Sequence, residues 1–351
     1  MKPAAFRLAR TILAAAVAAS VFPAHADAIT DWNVKSNQVI SEAKLGTPPA
    51  VRVMAIVHTA AYEAAKGAVP GATMDAAIAA AHHATLSKLI PAQQPMIDAA
   101  YAAALDGIPD SPSRALGIES GRRAAASVLA ERAADVIVPE SYRPFTSPGS
   151  YVPTSSAAAP TWGGRKPWHM SNPAQFRPAP PPALASATWA SDFVEVKTLG
   201  SKASTVRTAE QTDIARFWEY SLPGIYHSVV RSVAVMPGRE TLRNARLFAA
   251  VAQAMDDAMI GVFEAKYHYN FWRPVTAIRN GDLDGNDATE REASWMPLVD
   301  APMHPEYPSG HSILASAVAA VVQADLGKSP APILTTTSPT AKGASRSWTS
   351  L

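Results

Sequence analysis

Apolar positions recur at helical spacing through most of the chain. From Val51 to Lys66, Val51, Met54, Ile56, Val57, Ala60, Ala61 and Ala64 make one broad apolar face, which predicts a helix. A short helix is expected before it, over Trp32–Ala43. Three alanine-rich helices should follow over Met74–Ile90, Gln93–Leu105 and Ser113–Ala134, divided by Pro91 and by the Gly107–Pro112 turn. The pattern resumes over Ser186–Leu199. Thr208-Ala-Glu-Gln211 then forms a capping box that opens a helix holding Ile214, Phe217 and Trp218. Tyr220–Gly224 breaks that helix, and Ile225–Val235 is the next. Glu240–Tyr269 reads as one long helix, with Leu242, Leu247, Phe248, Val251, Met255, Met259 and Phe263 on its apolar side. Ser312–Leu326 completes the series. Every segment with a clear period is helical, so the expected fold class is all-α, a packed helical bundle.

Two stretches lack a period. Prolines crowd between Pro139 and Pro182, with Trp162, Trp168 and Phe176 among them. Such a segment is expected to be an ordered loop wrapped on the helical body and roofing a site. Pro330–Lys342 is rich in Pro, Thr and Ser and reads as a second loop.

Residues 1–26 have the layout of an export signal. Lys2, Arg7 and Arg10 precede an apolar run from Thr11 to Phe22, and Ala24-His25-Ala26 is a small-residue cleavage site. A periplasmic or extracellular protein is therefore expected, with residues 27–351 as a single helical domain. No later run of about 20 apolar residues offers a membrane span after signal cleavage. The whole chain carries 31 Lys+Arg and 29 Asp+Glu, a formal net charge of +2. Residues 1–26 hold three of the bases and no acid, so the remainder has 28 against 29 and a net charge of −1. Bulk charge thus gives no support to nucleic-acid binding. The absence of cysteine excludes disulfides, thiol catalysis and thiolate metal sites. A homo-oligomer is left open.

Candidate chemistry concentrates in two places. Lys266-Tyr-His-Tyr-Asn-Phe-Trp-Arg273-Pro274 sets two cations seven residues apart. If the helix persists to Arg273, both lie on one face, an arrangement that calls for an anion between them. Downstream, Met303-His304-Pro305-Glu306-Tyr307-Pro308-Ser309-Gly310-His311 leads into a helix. There the Ser309 hydroxyl and the Gly310 N–H are natural donors to an oxyanion. His311 is placed to hold or move a proton. Other polar residues read as structural: His58 and Glu63 within a packed helix, Asp256 and Asp257 as paired, solvated carboxylates, and Asp282–Asp287 as a polar turn. Adjacent His82 and His83 are expected at the surface.

Lys266-x6-Arg273-Pro274 followed by Pro308-Ser309-Gly310-His311 resembles the first two signature motifs of the vanadium-dependent haloperoxidase and type-2 phosphatidic acid phosphatase superfamily. Residues 267–272 and 304–307, and the Val51–Lys66 helix, look like its secreted bacterial haloperoxidase branch. The resemblance implies a helical bundle whose pocket binds vanadate, or phosphate as its analogue. Lys266, Arg273, Ser309 and Gly310 would bind oxyanion oxygens, with His311 as the acid/base residue. His304, seven before His311, resembles the extra active-site histidine of some bromide-oxidising members. Partners would be hydrogen peroxide and a halide, or a phosphate ester in the phosphatase members.

The family's third motif, a Ser-Arg with a histidine six residues after the arginine, is not matched. The pair Ser345-Arg346 would place that histidine at position 352, so the apical metal ligand of the haloperoxidases is expected beyond Leu351. In phosphatases the same histidine is the nucleophile. The expectation is a chain that ends before its third motif and whose intact form is an enzyme. A non-catalytic oxyanion-binding pseudoenzyme and a recruited histidine, His304 or His268, are the alternatives. The expected function is haloperoxidase-like, with an acid phosphatase on the same scaffold as the other enzymatic reading.

Overall fold

The computed structural model describes residues 27–68, 71–135 and 142–351. The export segment expected over residues 1–26 lies outside them. Eleven α-helices form among the described residues: α1 (Ala28–Glu42), α2 (Thr47–Lys66), α3 (Ala72–Leu89), α4 (Gln94–Asp106), α5 (Pro112–Arg132), α6 (Ala187–Gly200), α7 (Ala209–Trp218), α8 (Gly224–Ala234), α9 (Thr241–Tyr269), α10 (Pro274–Arg279) and α11 (Gly310–Leu326). The all-α expectation holds. The local reasons are those of the sequence. Asp27 accepts the Thr30 N–H to start α1, Ser111 caps α5, and Thr208 and Gln211 form both halves of the capping box of α7.

Helix α9 is the axis of the bundle, with α2 and α11 packed along it and α8 touching it more lightly. Leu247, Phe248, Val251, Met255, Met259 and Phe263 are all buried there. On the far side of α2, α3 and α5 approach closely because their seam is made of small residues. A Cβ on Gly117 would lie 2.3 Å from the Thr73 carbonyl, and one on Gly121 2.2 Å from that of Ala77. Alanine abundance here buys interhelical proximity, with dispersion contacts between backbones replacing interdigitated large side chains.

Three histidines lie wholly inside this body. Asn33 Nδ2 is 2.9 Å from His58 Nε2 and 2.6 Å from His227 Nδ1, while Arg231 donates to Asn33 Oδ1 at 2.7 Å. An amide nitrogen only donates, so both rings accept and are neutral. His82 stacks on Trp32 and its Nδ1 donates to the Ile78 carbonyl. The surface position expected for His82 is therefore wrong: its ring is fully buried, because it points between α1 and α2. His83, one residue on, is partly exposed and reaches Asp98 at 2.7 Å.

Residues 142–186 contain no α-helix, only a one-turn 3-10 helix at Trp162–Gly164. Side chains of the bundle hold this loop. Asp257 accepts the backbone N–H groups of Trp168, His169 and Met170, and Asp256 accepts the Trp168 indole N–H at 2.7 Å. Arg52 bridges Asp256 and Asp135. Both α9 aspartates are paired, as expected, but buried and not solvated. Gly163 rests directly on α9, since a Cβ there would be 2.5 Å from Glu264 Cα.

Two further expectations are corrected. Within the stretch read as loop, Leu334–Ser338 is a strand, β1, paired antiparallel with β2 (Ala344–Trp348). Leu334, Thr336 and Ser338 are buried in alternation, and Thr336 Oγ1 donates to the Ile225 carbonyl. β-Branched threonines favour that extended backbone, and Lys342 and Gly343 at positive φ turn it. Helix α10 is likewise absent from the sequence reading. Among the described residues no helix is long and apolar enough to cross a membrane.

Candidate functional site

Lys266 sits in the last turn of α9, which ends three residues later at Tyr269. Asn270 adopts the left-handed conformation (φ 46°, ψ 42°), and its N–H closes on the Lys266 carbonyl at 2.8 Å. The single helix face expected to carry both Lys266 and Arg273 therefore does not exist. Instead the chain leaves α9 extended. Loop residues hold it, through Tyr151 N–H to Asn270 O (2.8 Å) and Trp272 N–H to Gly149 O (2.9 Å). Arg273 then stands at the N-cap of α10 with extended backbone.

The two cations meet across the segment that precedes α11. Lys266 Nζ donates to the carbonyls of Pro305 (3.0 Å) and Glu306 (2.7 Å). Arg273 Nε donates to His304 O at 2.7 Å, Nη1 pairs with Glu306 Oε2 at 2.5 Å, and Nη2 lies 2.7 Å from His304 Nδ1. The same His304 Nδ1 lies 3.0 Å from the Pro305 carbonyl, so it sits between a guanidinium that donates and a carbonyl that accepts. Both cations are buried, at 2% exposure for Lys266 and 8% for Arg273. Burial first, and then the Arg273 charge, pull the Lys266 ammonium down to about 7. Burial, Arg273 and Lys266 together hold His304 at about 3, so it is neutral at ordinary pH.

Ser309 is the N-cap of α11, its Oγ accepting the Ser312 N–H at 3.3 Å. The hydroxyl keeps its own proton to donate. Gly310 opens the helix, where N–H groups have no intrahelical partner, and a Cβ there would meet nothing within 4 Å. His311 is solvent-accessible. Its pKa is lowered by partial desolvation, while the nearby backbone of Tyr220 and Trp218 opposes the shift.

One cavity of ≈ 670 Å³ is lined by all six residues singled out in the sequence: Lys266, Arg273, His304, Ser309, Gly310 and His311. That volume is in the ~300–1,000 Å³ range of small-molecule sites. Sequence reasoning missed other parts of the wall. Glu306 supplies the counter-charge to Arg273, and Tyr226 and Trp162 line the cavity with Tyr226 Oη and Trp162 Nε1 both buried and unpartnered. Glu306 sits inside the motif and could have been weighed; nothing in the local pattern marks Tyr226. His268 takes no part in the cavity wall and lies beside Arg177, at 3.5 Å.

The segment that was to lead into a third motif is placed elsewhere. Arg346 Nη2 donates to Glu210 Oε1 at 2.9 Å, and its guanidinium lies over the Phe217 ring. Neither Arg346 nor Leu351 lines the cavity, and Leu351 is 42% exposed. The reason is the hairpin: β2 pairs with β1, which packs on α8, and this fixes Ser345 and Arg346 against α7. An apical histidine expected beyond Leu351 would have to come from outside these residues.

This donor set suits a tetrahedral oxyanion. The two buried cations stand against the Glu306 carboxylate, while Glu219, also on the wall, pairs with Arg216; a hydroxyl and helix-start N–H groups flank the cations, and two orphan donors belong to the wall. No histidine stands between His311 and Leu351, so the ring nitrogens in this cavity are those of His304 and His311.

Comparison with known proteins agrees with this geometry. Residues 246–349, from α9 to β2, match the family model described as the VCPO second helical-bundle domain. The vanadium chloroperoxidase of Curvularia inaequalis is 29% identical over 206 residues, covering 50% of this chain and 34% of that protein. The chain thus matches about a third of that curated relative's length. In three dimensions the fold is similar to that of a bacterial vanadium-dependent iodoperoxidase, with a TM-score of 0.73 and 22% identity over 92% of this chain and 86% of the other. A bacterial vanadium-dependent chloroperoxidase in its holo form gives a TM-score of 0.66 and 18% identity, over 87% and 84% of the two chains. Over residues 246–349, which hold both motifs, the chain is thus similar to the VCPO second helical-bundle domain, and its fold is that of the bacterial vanadium-dependent haloperoxidases.

Proposed function

We propose that the chain binds vanadate in the Lys266–Arg273–Gly310 cavity and, with vanadate bound, oxidises a halide with hydrogen peroxide. The observation that carries this reading is the convergence of two buried cations and the N-terminus of α11 on one cavity. Vanadate, when bound, supplies Lewis-acid activation of hydrogen peroxide toward the halide. The protein's part is charge, orientation and protons.

Arg273 offers a planar fork and Lys266 a compact charge to the oxyanion oxygens. Ser309 Oγ and the Gly310 N–H donate to those that remain, in the open space beside Gly310. His304 positions Arg273 through its Nδ1. His311, at the accessible edge, takes up or releases a proton at its ring. Low exposure of the cations makes each donor worth more than it would be in water.

Vanadate titration of the purified chain, followed by a bromide/peroxide halogenation assay, tests the proposal. Expected are saturable binding that Arg273→Ala weakens by about tenfold or more, and halogenation that His311→Ala abolishes while vanadate still binds. Vanadate-inhibited hydrolysis of a phosphate ester without halogenation would assign the cavity to an acid phosphatase. Tight binding with neither turnover would make it a non-catalytic oxyanion binder, and absence of vanadate binding would sink the proposal altogether.

A further inference from the structure

The polar groups gathered on the oxyanion cavity are mostly donors. Lys266 has three N–H groups and gives two of them to the carbonyls of Pro305 and Glu306. Arg273 has five and gives three of them to His304 and Glu306. The donors left over, with the Ser309 hydroxyl and the Gly310 N–H, serve any tetrahedral anion alike, whether or not it carries a proton. Discrimination between such anions has to come from an acceptor. Among the described residues two carboxylates line the cavity, Glu219 and Glu306. Glu219 is paired with Arg216 at 3.1 Å. Glu306 is fixed on both cations, its backbone carbonyl accepting from Lys266 and its Oε2 from Arg273 at 2.5 Å. No hydrogen bond within the described residues is made to Glu306 Oε1, and the side chain is 41% exposed. One oxygen of this carboxylate is thus spent on Arg273 and the other is open.

We propose that Glu306 makes the cavity selective for oxyanions that keep an O–H, such as hydrogen vanadate and hydrogen phosphate, against fully deprotonated ones such as sulfate. The inference rests on the function proposed above, since it names the protonation state in which that function's anion is taken. An open carboxylate oxygen beside an anion site acts in two ways. It accepts a charge-assisted hydrogen bond from an oxyanion that carries a proton. To an oxyanion without one it presents only lone pairs and like charge, which is discrimination by repulsion. Glu306 is therefore a specificity-determining residue: Oε2 holds Arg273 in place and Oε1 reads the proton. The histidines of the wall are the rival acceptors. His304 Nδ1 is taken up between Arg273 and the Pro305 carbonyl, and His311 stands at the accessible rim.

In mildly alkaline solution hydrogen phosphate and sulfate have the same charge and similar size, and differ by one proton. Calorimetric titration of the vanadate-free full chain with inorganic phosphate and with sulfate therefore isolates the reading of that proton, without any turnover. The native chain is expected to bind phosphate at least about tenfold more tightly than sulfate. The same preference is expected for arsenate over selenate, a comparison that needs no variant. In Glu306→Gln, whose amide offers a donor as well as an acceptor, sulfate should gain and the preference should vanish. Glu219→Gln should keep the native preference. Both anions are titrated into the same preparation, so a variant that folds incompletely loses binding capacity for both and keeps its ratio of affinities. Equal affinities in the native chain, a native preference in Glu306→Gln, or no saturable binding of either anion would each overturn the inference. So would loss of the preference in Glu219→Gln or His311→Ala while Glu306→Gln retains it. Vanadate is titrated separately: phosphate preferred over sulfate without vanadate binding or halogenation sinks only the haloperoxidase reading. Vanadate binding and halogenation without the preference sinks only this one.

Discussion

Lys266 is the residue at which burial and function are most tightly coupled. Its ammonium is held near 7 by desolvation and by Arg273, so it is charged below that pH and increasingly neutral above it. An anion favours the charged form, so anion affinity should be greatest below about pH 7 and fall by up to about tenfold per pH unit above it. Sulfate is the appropriate probe because its own charge stays constant over this range. Sulfate affinity that stays flat from about pH 6 to about pH 8.5 would show that Lys266 does not titrate against the ligand. That Lys266, Arg273, Ser309, Gly310 and His311 line one cavity was legible in the sequence because their side-chain chemistry and order point to a shared anion. Their geometry was not. A seven-residue spacing looks like two helical turns, and only the left-handed Asn270, pinned by loop residues 149–151, shows that the helix stops between the two cations.

At the scale of elements, helix existence was readable from periodicity and caps, and most ends came within a few residues. What periodicity does not carry is how closely helices approach. Gly117 and Gly121 look like weak points of α5 by propensity, yet they are where α3 touches it. Gly121→Ala should therefore destabilise the protein by about 1–3 kcal/mol, despite alanine's better helix propensity, because the added Cβ meets a carbonyl and must push the helices apart. Urea unfolding checks this, and a variant as stable as the native chain would show that the seam can relax. The β1–β2 hairpin failed to stand out for a different reason. Its threonines are polar by composition and β-forming by shape, and Thr336 is buried only because α8 offers it a carbonyl. That partner is over a hundred residues away.

For the whole molecule, the buried histidines set an acid limit. Desolvation holds His58 well below its ordinary value, His82 at about 4 and His227 at about 3. Unfolded, each would bind a proton near its ordinary value of ~6.5. Folding stability should thus be insensitive to these groups above about pH 6.5. It should fall below that by about 1.4 kcal/mol per pH unit for each, until its folded pKa is reached. Urea midpoints measured at about pH 7.5 and about pH 5 should differ markedly, and His82→Phe should shrink the difference. Equal midpoints would mean that the cluster takes up protons without unfolding. Sequence alone could place His58 in the core but not His82, since adjacency to His83 says nothing about which of the two points inward.

The pinning of the proline-rich loop has a further consequence, one of access. Peeling residues 158–170 away from α9 would take three backbone N–H groups from Asp257 and the Trp168 indole from Asp256, which keeps Arg52, and would uncover the Trp162 side chain. Each hydrogen bond to a charged group lost in this way costs about 1.5–3 kcal/mol. The loop is therefore held against α9 by several such bonds at once, and opening it costs all of them. Ligands reach the cations past the exposed residues of the cavity mouth, Ser309 and His311 among them, so the residue placed to handle protons also stands at the door.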